Sequence, residues 1–173
     1  MTTDDSVLIR PAEPRDAAAL GRFGAALVEA HYALDAQRFI KPGPRLEDGY
    51  ARFLGAQLAD EDVEIFVAER GDTIVGYVFA GVEPHSWKEL RDVAGFIHDV
   101  IVAPDARGTG IGTRLIEAAA AWLVGRGVPR VMLWTAERNQ DARRLFERLG
   151  FRRTMVEMTR ETPPAVRPPQ PGR

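Results

Sequence analysis

Along this chain the spacing of apolar residues switches between two and about 3.6, and each switch marks an element. Val7-Leu8-Ile9-Arg10 is a short β-rich run ended by Pro11. Pro14-Arg15-Asp16 then opens a segment in which Leu20, Phe23, Leu27 and Val28 recur at helical spacing, which predicts a helix to about Leu34. Lys41-Pro42-Gly43-Pro44 breaks the chain, and Tyr50, Phe53, Leu54 and Leu58 restore the helical period over 46–59. Two β-rich runs, 63–69 and 73–82, flank Arg70-Gly71-Asp72-Thr73, a tight-turn composition that predicts an antiparallel hairpin. After a polar connection over 83–94 the pattern predicts a strand at 96–102, a helix over 111–124 and a strand at 130–135. A helix over 139–149 and a final strand at 151–159 complete it. A hairpin first and strand-helix alternation afterwards indicate an α/β (α+β) domain, a mixed sheet with helices on both faces.

Composition narrows the class. The 173 residues are 45% hydrophobic, enough for one continuous core, so a single domain is expected over 1–162. Residues 163–173 hold five of the twelve prolines and little that packs, which predicts an extended or disordered tail. A formal charge of −2 and the lack of any basic run argue against nucleic acid or an anionic membrane as partner. The acidic start Met1-Thr2-Thr3-Asp4-Asp5 is unlike a secretory signal, and no apolar run approaches the roughly 18 residues of a membrane span, so a cytoplasmic protein is expected. Cysteine is absent, which removes disulfides and acyl-cysteine chemistry. His31, His85 and His98 lie far apart without metal-ligand spacing, and no metal is expected.

The richest stretch is Val100-Ile101-Val102-Ala103-Pro104-Asp105-Ala106-Arg107-Gly108-Thr109-Gly110-Ile111-Gly112-Thr113, a β-branched strand running through a glycine-rich loop into a helix. Glycines at alternate positions let main-chain N–H groups approach a ligand, and the helix N-terminus adds unpaired donors and a favourable dipole for an anion such as pyrophosphate. The loop lacks the Gly-Lys-Ser/Thr ending that reaches terminal phosphates. It also lacks the acidic residue about 20 positions on that would hold a ribose diol, since Val131-Met132-Leu133-Trp134 occupies that region.

The run Arg107-Gly108-Thr109-Gly110-Ile111-Gly112 after a strand ending Val-Ala-Pro resembles the acyl-CoA loop of the GNAT superfamily of N-acetyltransferases. Ile9-Arg10-Pro11-Ala12-Glu13-Pro14-Arg15-Asp16 resembles that family's first strand and helix start. The stretch from Asn139 through Leu145-Phe146 to Gly150-Phe151 resembles its closing helix and strand. The resemblance spans roughly residues 6–160 and implies a mostly antiparallel central sheet flanked by helices. It implies acetyl-CoA as cosubstrate, its pyrophosphate on the amides from Arg107, Gly108, Thr109, Gly110, Ile111 and Gly112 to Thr113, and its pantetheine arm between splayed strands 96–102 and 130–135. A tight strand-helix connection made for packing alone is the other reading of the glycines.

Acyl transfer to an amine needs a proton acceptor, an oxyanion donor and a proton for the leaving thiolate. An alkylamine, with a pKa of about 10.4, arrives mostly protonated. By the resemblance His98 stands where the family often directs a base at the acceptor, and an imidazole near about 6.5 suits that work. A core histidine bonded to a carbonyl is the competing reading. Strict alternation places His98 with Phe96 and Val100, and Asp99 on the opposite face, unless a bulge intervenes. Asp99 is therefore a fallback base, or a structural acceptor. The oxyanion donor would be an N–H of Val100, Ile101 or Val102. By the resemblance the family's acidic tyrosine is replaced by Phe146, which has no proton to give, so water, the substrate ammonium or a hydroxyl such as that of Tyr32 would serve, or CoA leaves as the thiolate. Asn139 is a candidate cofactor contact or a helix N-cap.

For the acceptor, the resemblance points to the first helices and the 83–94 connection, where Tyr32, Phe39, Glu83 and Trp87 could line a pocket; packing or a homodimer contact is the alternative for the aromatics. Trp134 reads as core. The expected function is direct transfer of acetyl to a primary amine of a small molecule or protein in a ternary complex. The alternatives are a non-catalytic acyl-CoA-binding regulatory domain and a generic nucleotide-binding protein.

Overall fold

A central strand buried on both faces organises residues 6–162, the part of the chain that the computed structural model describes. The described strands are β1 (Val7–Pro11), β2 (Val63–Arg70), β3 (Thr73–Glu83), β4 (Ala94–Val102) and β5 (Val131–Leu133). They pair in the order β1-β2-β3-β4-β5, antiparallel except for the parallel β4–β5 pair. β3 is the central strand: Val75 to Gly81 are all buried, so it reads as a continuous apolar run rather than an alternating one. The expected Pro-rich tail at 163–173 lies outside the described residues.

Helices cover both faces. α3 (Ile111–Gly125) packs Ile111, Leu115, Ile116, Ala119 and Leu123 against Val78, Ala80 and Ile97, and α4 (Gln140–Arg148) adds Phe146 to the same cluster. On the other face α1 (Ala17–Leu34) and α2 (Leu46–Gln57) send Leu20 and Leu54 against Ile65, Val67, Tyr77 and Ile101. A short 3-10 turn over Pro14–Asp16 leads into α1. There the Asp16 side chain accepts from Glu13 N–H at 2.8 Å and pairs with Arg10 at 2.7 Å, so the buried carboxylate is satisfied from two sides.

Most elements lie within a residue or two of the positions the apolar pattern predicts, but the C-terminal end differs. The strand expected at 130–135 shrinks to Val131–Leu133, and no strand forms over 151–159. A three-residue β5 offers too short an edge to template another strand, and β-propensity without a partner does not make one. Past half-buried Phe151 the chain runs exposed, held by ion pairs from Arg153 to Glu137 and from Arg38 to Glu157, with Met155 and Met158 open to solvent. Trp134, expected in the core, is 75% exposed because the pairing ends one residue before it.

The crossing of α1 over α2 depends on glycine. A Cβ at Gly24 would stand 1.9 Å from Cδ1 of Tyr50, and one at Gly21 would stand 2.6 Å from the Glu47 carbonyl oxygen. Gly24→Ala should therefore destabilise the protein by about 1–3 kcal/mol, even though alanine gains about 1 kcal/mol over glycine in a helix interior. Urea unfolding checks this, and a midpoint at or above that of the parent would contradict the packing described.

Candidate functional site

The β3–β4 ladder contains one extra residue. Val78 pairs with Val100 and Phe79 with Asp99, but Ala80 pairs with Ile97, so His98 has no partner and β4 bulges there. The bulge shifts the alternation by one. Ile97 and Val100 pack on the α3 side, whereas Ile101 packs on the α1–α2 side with Tyr77. His98 and Asp99 both project towards α2, which corrects the expectation that they occupy opposite faces.

The His98 imidazole lies between two rings, 4.8 Å from that of Phe79 and 5.8 Å from that of Phe96. Its Nε2 is 3.2 Å from Oε1 of Glu83, and the side chain remains 30% exposed. Burial pushes the imidazole pKa down, and the carboxylates of Glu83 and Asp99 act against that shift. The ring forms one wall of a cavity of about 460 Å³. Phe53 and Gln57 of α2 and Gly81 of β3 line it, with Asp60 and Glu83 supplying negative charge and Asp62 paired with Arg126.

Asp99 sits deeper. Its Oδ2 accepts hydrogen bonds from the hydroxyls of Tyr50 and Tyr77, each at 2.9 Å. Burial raises the carboxyl pKa, while the two hydroxyls and His98 pull it back. Both phenols are pushed well above their ordinary range, by burial first and then by the Asp99 charge. Asp99 thus has the partners of a structural acceptor, and it ties α2 to β3 and β4.

On its other edge β4 is only partly covered. β5 pairs with Gly95, Phe96 and Ile97 and no further, so the edge from the bulge through Val100, Ile101 and Val102 has no strand beside it. That edge leads into a 3-10 turn over Pro104–Ala106 and then into the glycine loop. Gly108 and Gly110 adopt φ of 77° and 85°, the left-handed region open to glycine. Arg107 Nε donates to the Val102 carbonyl at 3.1 Å and Thr109 Oγ1 donates to that of Ala106 at 2.7 Å, which fixes the loop on the strand it leaves. Gly110 is the N-cap of α3 and no side chain among the described residues caps that end, so the first-turn amides at Ile111, Gly112 and Thr113 have no acceptor within the helix. The loop and the open edge together suit a pyrophosphate carrying an extended arm.

The other expected site residues divide. Asn139 caps α4, its side chain accepting from Ala142 N–H at 3.3 Å. Phe146 is 7% exposed and meets Phe151 edge-on within the core cluster under α3. Glu83 reaches the cavity, but Tyr32, Phe39 and Trp87 are not among its lining residues. Phe39 packs on His31 instead, and Trp87 stands 82% exposed beside His85. Sequence reasoning missed Phe53, Gln57 and Gly81, because at helical or strand spacing they look like ordinary packing positions. The alternation of Phe79, Gly81 and Glu83 on one face of β3 was the available signal.

Solved structures share this architecture. A transcriptional regulator of Bacillus halodurans superposes with a TM-score of 0.72 at 26% identity, over 91% of this chain and 100% of that one. A predicted acetyltransferase of Clostridium acetobutylicum, solved with acetyl-CoA, gives 0.67 at 18% identity over 89% and 96%. This is the fold of acyl-CoA-binding acetyltransferases, and residues 29–151 match the family model of the Acetyltransferase (GNAT) family, to which the chain belongs. In sequence it is 34% identical over 164 residues to the mycothiol acetyltransferase of Thermomonospora curvata, covering 95% of this chain and 50% of that protein. The chain spans half the length or less of several curated relatives that it matches.

The raised Asp99 carboxyl has a stability consequence. A folded pKa above the unfolded value, near 3.8, means that the contribution of Asp99 is fully present below 3.8 and lost as pH rises through the folded value. Asp99→Asn keeps an acceptor for the tyrosines and removes the titration. Its Tm relative to the parent should therefore climb as pH rises from about 4 to 7; a Tm difference constant across that range would contradict the buried, ionisable placement.

Proposed function

We propose that the chain is an acetyl-CoA-dependent N-acetyltransferase that moves acetyl directly to a primary amine of a small molecule or protein in a ternary complex. The observation that carries this reading is the bulge, which sets one imidazole between an acid-lined cavity and the uncovered edge of β4. The amides from Arg107 to Thr113 hold the pyrophosphate, and the gap beyond Ile97, where β4 and β5 part, takes the pantetheine arm. His98 accepts a proton from the acceptor ammonium, directly or through one water, and the freed amine attacks the thioester carbonyl. The N–H groups of β4 between Val100 and Val102 receive the developing oxyanion. As the intermediate collapses, the attacking nitrogen gives up its second proton to water and CoA leaves as thiolate. The thiolate takes its proton from water in turn, because Phe146, at the position where the resemblance implies a tyrosine, has no proton to give. Without cysteine the chain has no thiol to carry the acetyl group, so one displacement in the ternary complex is the simplest route.

The acid-lined cavity favours a cationic amine, and the relatives named for mycothiol place small amino-group metabolites on the panel beside polyamines, aminoglycosides and peptides. The absence of a proton donor at Phe146 favours a second reading, an acyl-CoA-binding regulatory domain without turnover.

CoA release with each amine distinguishes the two. The acetyltransferase reading expects acceptor-dependent release and a drop in kcat of about 10²–10⁴-fold in His98→Ala. Since burial lowers the imidazole pKa, the acidic limb of the parent rate should lie below the ordinary histidine range. Binding of CoA with no release from any amine would support the regulatory reading instead. Gly110→Glu, which places a carboxylate at the head of α3, should abolish the thermal stabilisation that CoA gives the parent; undiminished stabilisation in a folded variant would overturn the cradle assignment.

A further inference from the structure

We infer that Glu83 is a positioning residue for His98: its Oε1 accepts the Nε2–H of the imidazole and so keeps the basic lone pair on Nδ1. The catalytic consequence of this rests on the acetyltransferase reading, whereas the pairing itself does not. Three observations support it. Glu83 ends β3 on the same face as Phe79 and Gly81, and the bulge brings His98 to that face, so the 3.2 Å contact follows from strand geometry. At Gly81 a Cβ would already stand 3.4 Å from His98 Nε2, so glycine leaves this nitrogen room for the carboxylate. No residue among those described donates to or accepts from Nδ1, which leaves it for an incoming proton.

Glu83 is itself held. Arg91, its side chain only 11% exposed, pairs through Nε with Glu89, places Nη2 4.0 Å from Glu83 Oε2, donates from Nη1 to the Pro84 carbonyl at 2.8 Å and lies 4.9 Å over the Phe96 ring. Phe96 in turn stacks on His98. Backbone hydrogen bonds between Ser86 and Arg91, at 2.9 and 3.1 Å, fold the β3–β4 connection so that the guanidinium reaches back. One carboxylate oxygen therefore faces a fixed cation and the other faces the imidazole. Glu83 is thereby taken from the substrate; Asp62 pairs with Arg126 at 2.5 Å, so Asp60 is the cavity acid that has no ion-pair partner among the described residues.

During transfer the ammonium N–H bond breaks and an N–H bond forms at Nδ1; the positive charge passes from the amine to the ring. Glu83 stays ionised and its attraction for the ring increases as the charge arrives, which stabilises the proton-transfer transition state. The charged groups around the ring are Glu83 from β3, Asp99 from β4, Asp60 and Asp62 from the α2–β2 connection, Arg126 from the C-cap of α3, which pairs with Asp62, and Arg91 from the β3–β4 connection. α2 contributes only neutral Phe53 and Gln57 to the cavity.

The first test needs no turnover. Nitrogen-resolved NMR of the three histidines, with His98 assigned through His98→Gln, should show neutral His98 as the Nε2–H tautomer. Glu83→Gln keeps an acceptor but removes the charge, so the tautomer should persist while the imidazole pKa falls by about one pH unit. Glu83→Ala removes both, and the tautomer preference should relax as well. In kinetics with a competent amine, Glu83→Gln should lower kcat about tenfold, change the amine KM by less than about twofold and move the acidic limb to lower pH. An imidazole whose tautomer and pKa are the same in all three proteins would overturn the inference. So would a raised amine KM with kcat and the limb unchanged, since Glu83 would then be binding substrate. NMR shifts as expected without any acceptor-dependent release would uphold the pairing and overturn only the acetyltransferase reading.

Discussion

A single unpaired residue in β4 sets the geometry on which the rest depends. Without it, alternation would send His98 and Asp99 to opposite faces, and no arrangement of loops would bring the imidazole to the cavity and Asp99 to the tyrosines at once. A bulge breaks ladder pairing locally, and here the surrounding core offsets that cost: Ile97 and Val100 pack under α3 on one side, Ile101 under α1 and α2 on the other. The hydroxyls of Tyr50 and Tyr77 converge on Asp99 and fix the bulged segment from α2 and β3. The glycine contacts between α1 and α2 matter for the same reason, since they set the position of Tyr50.

Two further features gain their meaning from that bulge. The early end of β5 leaves polar main-chain groups of β4 available beside the imidazole, where a regular sheet would have used them. The glycine turn at 108–110 then sends the chain into α3 with its uncapped N-terminus beyond the same edge. In the proposed reading an extended ligand with an anionic end lies along one continuous path, from the amides of α3 to the bulge. Electrostatics divide that path: main-chain donors at the loop end, carboxylates around the cavity at the other.

Much of this was legible in the sequence. The helices, the hairpin and the glycine loop follow from periodicity and turn chemistry, and the spacing from Val102 to Gly112 marked the strand-loop-helix junction that the structure shows. The bulge was not legible, because a strand of apolar and β-branched residues with one histidine carries no mark of where an extra residue will be placed. For the same reason Asp99 was assigned to the wrong face. Glu83 looked like a loop carboxylate until β3 was seen to extend through it. Trp134 and the strand expected after α4 failed for another reason: burial and pairing depend on how far β5 runs, and propensity within the segment does not state that length. The cavity walls came from residues that packing alone would also require, which is why Phe53 gave no signal and Gly81 showed only in its alternation with Phe79 and Glu83.

The most direct test of the central claim is a crystal structure with acetyl-CoA bound. The account predicts the pyrophosphate on the amides of Arg107 to Thr113, the arm along β4 beyond Ile97, and the thioester carbonyl beside the bulge, within one water of the His98 imidazole. A thioester directed away from that imidazole, or a pyrophosphate bound elsewhere with the glycine loop empty, would contradict it.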